Sequence, residues 1–308
     1  MKMMRLSLWA IVFIAVAIQA TDRPSPPSRA PAVCAGLLEP SAVAVDGAGD
    51  VYISDTGHNT IKKWDVRNNT VTALVSNGLN RPEGLALDAE GNIYIADFYH
   101  NAIKKWTAAT GRLSVVTTGT AHPTSVAVDK RLNLYVAVPG NGAIMKWTAA
   151  TGELAVLTTS GLTAPYGVAV DAAGNVFIAD AGNNSVREWI ARNSNCVPIV
   201  SNGLNSPWAV AADAMGNVYI ADGYNNAIKK WTATTGAVTT LISGEGDPTG
   251  VAADAAGHVY IAAFNKNEVE QLPFGYADLS PPANYTASSN IVPLPARRNV
   301  ASEKSETR

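Results

Sequence analysis

Six prolines divide the chain into repeats. Pro40, Pro82, Pro123, Pro165, Pro207 and Pro248 recur at spacings of 42, 41, 42, 42 and 41 residues, and each opens a version of one phrase, clearest at 165–180 as PYGVAVDAAGNVFIAD. A fixed period of this kind requires units that bury their apolar faces against one another. Helical and propeller repeats both occur near this length, so the local pattern decides. Val168, Val170, Val176 and Ile178 alternate and are β-branched, which marks strands. Between them, Asp171 to Asn175 reads as a tight turn, with Gly174 available for positive φ. Apolar spacings of three and four, which helices need, do not recur.

Each repeat reads as four short strands. In the second they are expected near residues 84–87, 92–96, 102–106 and 113–116, with Gly111 turning the third into the fourth. The fold expected is all-β: a six-bladed β-propeller of four-stranded antiparallel blades. Pro198 falls in the fourth strand of the fourth repeat, and proline is tolerated on a sheet edge, so the fourth strand is outermost. A glycine stands four residues before every repeat proline, which aligns AVCAGLLEP at 32–40 with LVSNGLNRP at 74–82, the end of a fourth strand. The sixth repeat lacks its own fourth strand, because Pro273, Pro281 and Pro282 follow Leu272. The segment around Pro31–Ala35 is therefore expected to close the ring as the N-terminal outer strand of the last blade, removing an open sheet edge.

The phrase P-x-G-V-A-V-D-x-x-G-N-[VI]-[YF]-I-A-D, followed by N-x-[IV], resembles the NHL repeat across about residues 38–272. The resemblance implies a six-bladed ring with a central channel and leaves activity open. NHL-type propellers include exported bacterial proteins, among them the extracellular sensor domains of some receptor kinases. They also include RNA-binding regulators, a peptide-amidating lyase that uses histidines in its propeller, and an antibiotic-inactivating lyase.

The domain reading is a signal peptide at 1–20, a Pro/Ser-rich leader at 21–30, the propeller at 31–275 and a Pro-rich extended or disordered tail at 276–308. Lys2 and Arg5 precede an apolar run from Leu6 to Ile18, with the small Ala20 before a cut, the layout of a secretory leader. The run is shorter than the ~20 residues that span a bilayer. The mature chain is thus expected to be secreted or periplasmic, monomeric and without a membrane span. Formal net charge is −2 for the whole chain and −4 without Lys2 and Arg5, a poor balance for binding nucleic acid. Cys34 and Cys196 fall on outer strands of non-adjacent blades, too far apart for a disulfide.

Regular positions read as framework. Asp46, Asp88, Asp129, Asp171, Asp213 and Asp254 recur once per repeat and are expected to cap turns. Asp55, Asp97, Asp180 and Asp222 end second strands and read as loop caps. Trp64, Trp106, Trp147, Trp189 and Trp231 end third strands and suit inter-blade packing. The Lys62-Lys63, Lys104-Lys105 and Lys229-Lys230 pairs beside them read as solvated strand ends or a basic stripe.

Variable positions carry the functional reading. The residue after each repeat proline should line the channel mouth: Ser41, Glu83, Thr124, Tyr166, Trp208 and Thr249. Loops between second and third strands bring Phe98, Tyr99, Tyr224 and Phe264 to the same face. Glu83, Tyr166, Trp208, Thr124, Thr249, Phe98, Tyr99 and Tyr224 are the candidate ligand-binding residues, suited to a small polar ligand, a glycan, or a protein or peptide. No catalytic residue, metal ligand or cofactor is assigned, since no nucleophile elbow, phosphate loop or Cys/His zinc spacing is present. The leading function is a non-enzymatic binding module. One alternative is a metal-assisted lyase or hydrolase at the same face, which needs His58, His100 and His122, or Glu83, to converge. The other is a structural cell-envelope interaction protein.

Overall fold

The computed structural model describes residues 30–272. The expected signal peptide, the leader up to residue 29 and the tail at 276–308 lie outside the described residues. The described residues form six four-stranded antiparallel sheets. Blade two is typical, with strands Pro82–Leu87, Ile93–Asp97, Ala102–Thr107 and Arg112–Thr118. The first strand of each blade touches the first strand of the next, from blade one round to blade six and back. These first strands therefore line the central channel.

Burial follows from that stacking. Each second strand lies between neighbouring sheets, and all five residues of every one are buried. The core consists of six inter-blade clusters: Tyr94, Ala96 and Ile103 of blade two pack with Val126, Leu134 and Val136 of blade three. Trp64 joins the cluster between blades one and six, together with Val43, Tyr260 and Val269. The strand-ending tryptophans are packing residues, as their regular recurrence suggests. First strands approach so closely that a Cβ on Gly84 would lie 2.6 Å from Ser125 Cα, and one on Gly167 would lie 2.7 Å from Ala209 Cα. The glycine of the repeat phrase is a close-approach residue between adjacent blades.

Turn aspartates hold each first hairpin. Asp171 Oδ1 accepts the amides of Ala173 and Asn175, both at 2.8 Å, while Oδ2 accepts Asn175 Nδ2 at 2.9 Å. Asn175 Oδ1 in turn accepts Ala191 N at 3.1 Å, tying the hairpin to the end of the third strand. The same arrangement recurs at Asp88, Asp129 and Asp213.

The second set of aspartates caps loops as expected, while the lysine pairs correct an expectation. Asp55, Asp97 and Asp222 are fully buried, and their Oδ2 atoms pair with Lys62, Lys104 and Lys229 at 2.5, 2.5 and 2.6 Å. Their Oδ1 atoms accept the amides of Leu38, Asn80 and Asn205 in the incoming loop. The other lysine of each pair points to the opposite side of its strand, over Tyr52, Tyr94 or Tyr219, at 5.0 to 5.3 Å from the ring centroid. The lysines form neither a basic stripe nor a solvated end, because period-two geometry sends adjacent side chains to different partners. Blade three has the apolar Val138 and Met145 at these two positions, paired across the strands with Ala143 and Val136. Blade six has Ala263 and Glu270 there instead, with Lys266 bridging Glu270 at 2.8 Å and the buried Glu245 at 3.3 Å.

Closure is by the N-terminal strand. Ala32–Cys34 pairs antiparallel with the third strand of blade six, Glu268–Gln271, completing that sheet. Gln271 N donates to Pro31 O at 3.1 Å, and Ala30 is buried in the core beside Leu272. Cys34 and Cys196 are free and lie on the outer strands of blades six and four. No helix among the described residues is long and apolar enough to cross a membrane.

Candidate functional site

The channel mouth is built by one short loop per blade. After each second strand the chain makes a single 3-10 turn that ends in a left-handed residue, Asn59, Asn101, Gly142, Asn184, Asn226 or Asn267. Asparagine tolerates that conformation and offers a side-chain acceptor. Each of the five asparagines uses it on the next blade: Oδ1 accepts the amide of Glu39, Arg81, His122, Ser206 or Asp247, the residue just before a repeat proline. Those five residues all have positive φ. At Gly142 the acceptor is missing, and Ala164, its counterpart, takes no left-handed conformation and bonds Asp180 instead. The repeat's asparagine is thus an inter-blade latch that fixes the rim of the channel.

Inside this rim lies a cavity of about 470 Å³. Seven of the eight candidate residues line it: Glu83, Thr124, Tyr166, Trp208, Thr249, Phe98 and Tyr99. Tyr224 does not. It stands on the rim, 62 % exposed, with its ring 5.9 Å from that of Trp208. Ser41 and Phe264, on the same face, are also in the wall. Arg81 and Asp247 complete it and escaped the sequence reading. The available signal was the position before the repeat proline, where Glu39, Arg81, His122, Ala164, Ser206 and Asp247 vary as freely as the position after it.

The six residues after the prolines divide into two groups. Ser41, Thr124 and Thr249 donate their hydroxyls to the next first strand, at Glu83 O (2.9 Å), Tyr166 O (2.8 Å) and Pro40 O (3.0 Å). These hydroxyls lock neighbouring blades and keep only acceptor capacity for the cavity. Glu83, Tyr166 and Trp208 make no such lock and supply the cavity's chemistry.

Glu83 Oε1 accepts Arg81 Nε at 2.8 Å, and the guanidinium lies 5.9 Å from the Phe98 centroid, with Glu39 at 3.9 Å on its outer side. Burial pushes the Glu83 carboxyl above its ordinary pKa and outweighs the opposing pull of Arg81. Opposite, Tyr166 and Trp208 meet edge to face at 4.6 Å. Burial raises the Tyr166 pKa, and the Glu83 charge adds to it. Burial also raises the Asp247 pKa, while the Trp208 indole facing it pulls the other way. Yet neither Trp208 Nε1 nor Asp247 Oδ1 completes a hydrogen bond.

The histidines are engaged locally. His58 and His100 Nδ1 lie 2.8 and 2.7 Å from Oδ2 of Asp55 and Asp97. In blades four and five Asn183 and Asn225 make the same bond to Asp180 and Asp222, at 2.6 and 2.7 Å. That equivalence assigns the position a capping role. His122 stacks on Phe98 with ring centroids 4.7 Å apart. Among the described residues no group of three or more His, Cys, Asp or Glu side chains is arranged to hold a metal ion.

Two families match parts of the chain: the SMP-30/Gluconolactonase/LRE-like region over residues 40–139, and the NHL repeat over residues 204–231. No curated protein matches by sequence. Among solved structures, a chain of a nidogen/laminin complex is 17 % identical, with 71 % of this chain and 88 % of that one covered at a TM-score of 0.65. A gluconolactonase from Xanthomonas campestris is 15 % identical, with 79 % and 88 % covered at a TM-score of 0.66. Virginiamycin B lyase from Staphylococcus aureus is 14 % identical, with 75 % and 79 % covered at a TM-score of 0.58. At these identities the likeness is one of fold.

Proposed function

We propose that this chain, an NHL-repeat β-propeller, is a non-enzymatic binding module that takes a small polar ligand, a glycan or a peptide at its channel mouth. One observation carries the reading. Glu83, Tyr166 and Trp208 occupy positions equivalent to three blade-locking hydroxyls, yet make no lock and face a shared cavity. Convergent polar groups on an apolar, preformed wall are the usual make-up of a small-molecule site. Tyr99, 54 % exposed, and Tyr224 extend that wall onto the rim. The signal peptide expected at 1–20 supports an export route and a place outside the cytoplasm.

The enzymatic alternative draws on the gluconolactonase and lyase folds among the similar structures. It requires an ion or a proton-transfer group in the cavity. Glu83, with its raised pKa, is such a group in the wall, whereas His58, His100 and His122 do not line the cavity, which speaks against their converging on one ion there.

The test is a thermal-shift screen of the intact protein against small polar metabolites, oligosaccharides and short peptides. The proposal expects saturable stabilisation by at least one class. Steady turnover of a stabilising compound would move the assignment to the enzymatic alternative.

A further inference from the structure

Blades two and six present the same backbone setting with opposite charge. Arg81 and Asp247 each precede a repeat proline, each have positive φ, and each accept a hydrogen bond at the carbonyl from the phenylalanine opening the 3-10 turn of the same blade: Phe98 N to Arg81 O at 3.2 Å and Phe264 N to Asp247 O at 3.3 Å. In blade two the set is complete. A guanidinium lies over an aromatic ring and bonds a carboxylate, Glu83. In blade six the carboxylate and the Phe264 ring are present, with Trp208 of blade five in the same wall, but no cation accompanies them. No lysine or arginine pairs with Asp247 among the described residues; the Trp208 indole faces the carboxylate, but Oδ1 is buried without a hydrogen bond of good geometry.

We propose that the ligand of this cavity is an organic amine in its protonated form, its ammonium group set against Asp247 and its apolar body against Trp208 and Phe264. The proposal rests on the binding reading above and names the chemical class of the ligand. An ammonium group supplies the hydrogen-bond donors that a buried carboxylate oxygen lacks. Trp208 and Phe264 line the cavity with Asp247, and aromatic rings, indole above all, attract a cation. Arg81 does not repel it strongly, because Glu83 and Glu39 flank that guanidinium. Burial has raised the Asp247 pKa, and a neighbouring cation would relieve that penalty. A neutral alcohol fills the same space without the charge.

The test is calorimetric titration of the intact protein at pH 7 with matched pairs: n-butylamine against n-butanol, and 2-phenylethylamine against 2-phenylethanol. The proposal predicts that at least one amine binds about tenfold or more tightly than its alcohol, a ratio expected of a desolvated charge contact. Asp247→Asn keeps a residue that tolerates positive φ, so its melting temperature serves as the folding control. In that variant the amine preference should vanish while the melt stays in place. Equal binding of amine and alcohol, or a preference that survives Asp247→Asn, overturns the amine assignment. If equal binding is also lost in Trp208→Ala, the cavity is a binding site for neutral ligands and the broader reading stands. No binding of either amine at millimolar concentration overturns the assignment too, and the metabolite screen then judges the broader reading separately.

Discussion

The indole of Trp208 occupies the space that a side chain at Gly223 would need: a Cβ built there would overlap Trp208 Cδ1 and Nε1. Phe98 and Phe264 stand at the equivalent position in blades two and six, each contributing its own ring to the cavity. In blade five the aromatic group comes instead from the first strand, and the loop gives way to it.

Gly223→Ala should therefore displace the indole without deleting it. Overpacking of this kind costs about 1–3 kcal/mol, less where the side chain can swing away. The expected outcome is a changed near-ultraviolet circular dichroism signal and loss of ligand stabilisation, with a melting temperature only a few degrees lower. An unchanged tryptophan signal would show that the loop yields and the indole does not.

Asp97 and Lys104 should behave as one unit. Breaking a buried pair costs about 3–5 kcal/mol, because one charge is left behind. Blade three already has an apolar version in Val138 and Met145. Asp97→Val and Lys104→Met should each lower stability in urea titrations, and the double variant should lose less than the sum of the two by at least about 1 kcal/mol. Additive losses would mean that the pair is not coupled.

Blade six should favour mildly acidic conditions. Burial, reinforced by Glu270, pushes the Glu245 carboxyl up to about 7 from 4.5, with Lys266 only partly offsetting it. A carboxyl whose folded pKa is raised contributes stability fully present below about 4.5 and lost as pH rises through about 7. Four of the other five blades have leucine at this place: Leu37, Leu79, Leu162 and Leu204. Glu245→Leu should raise the melting temperature more at pH 8 than at pH 5, by a stability difference on the order of 1 kcal/mol. A pH-independent gain would indicate simple packing.

Removing residues 31–36 should destabilise the whole ring. The deletion takes away the outer strand that pairs with Glu268–Gln271, together with Cys34 from the core between blades six and one. It leaves a long open edge in a sheet whose neighbours depend on closure. Loss of the cooperative melt, or a drop of 10 °C or more on the scale of about 2–4 °C per kcal/mol, is expected. A melt at the native temperature would refute closure by the N-terminal strand.

Much of this architecture is legible in the sequence because each repeat states it again. The recurrence of Pro40 to Pro248 sets the blade number, alternation in Val168 to Ile178 sets strands against helices, and the orphan AVC segment foretells closure. The site is legible in part. The position after each proline leads to the cavity, but the sequence does not separate Thr124 and Thr249, which lock blades, from Tyr166 and Trp208, which do not. Arg81 and Asp247 stayed hidden because their direction depends on a left-handed backbone fixed by Asn59 and Asn226 on the preceding blade. The lysine pairs misled for a related reason: adjacent residues of a strand face opposite sides, and only the packed sheet reveals a buried aspartate on one of them.

The most direct measurement is the pair of melting temperatures, with and without a stabilising ligand, for the native chain, Tyr166→Ala and Trp208→Ala. The account predicts that both variants keep an unliganded melt within a few degrees of native and lose the ligand-induced shift. A retained shift, or a collapse of the unliganded melt, would contradict it and make the aromatic wall packing rather than recognition.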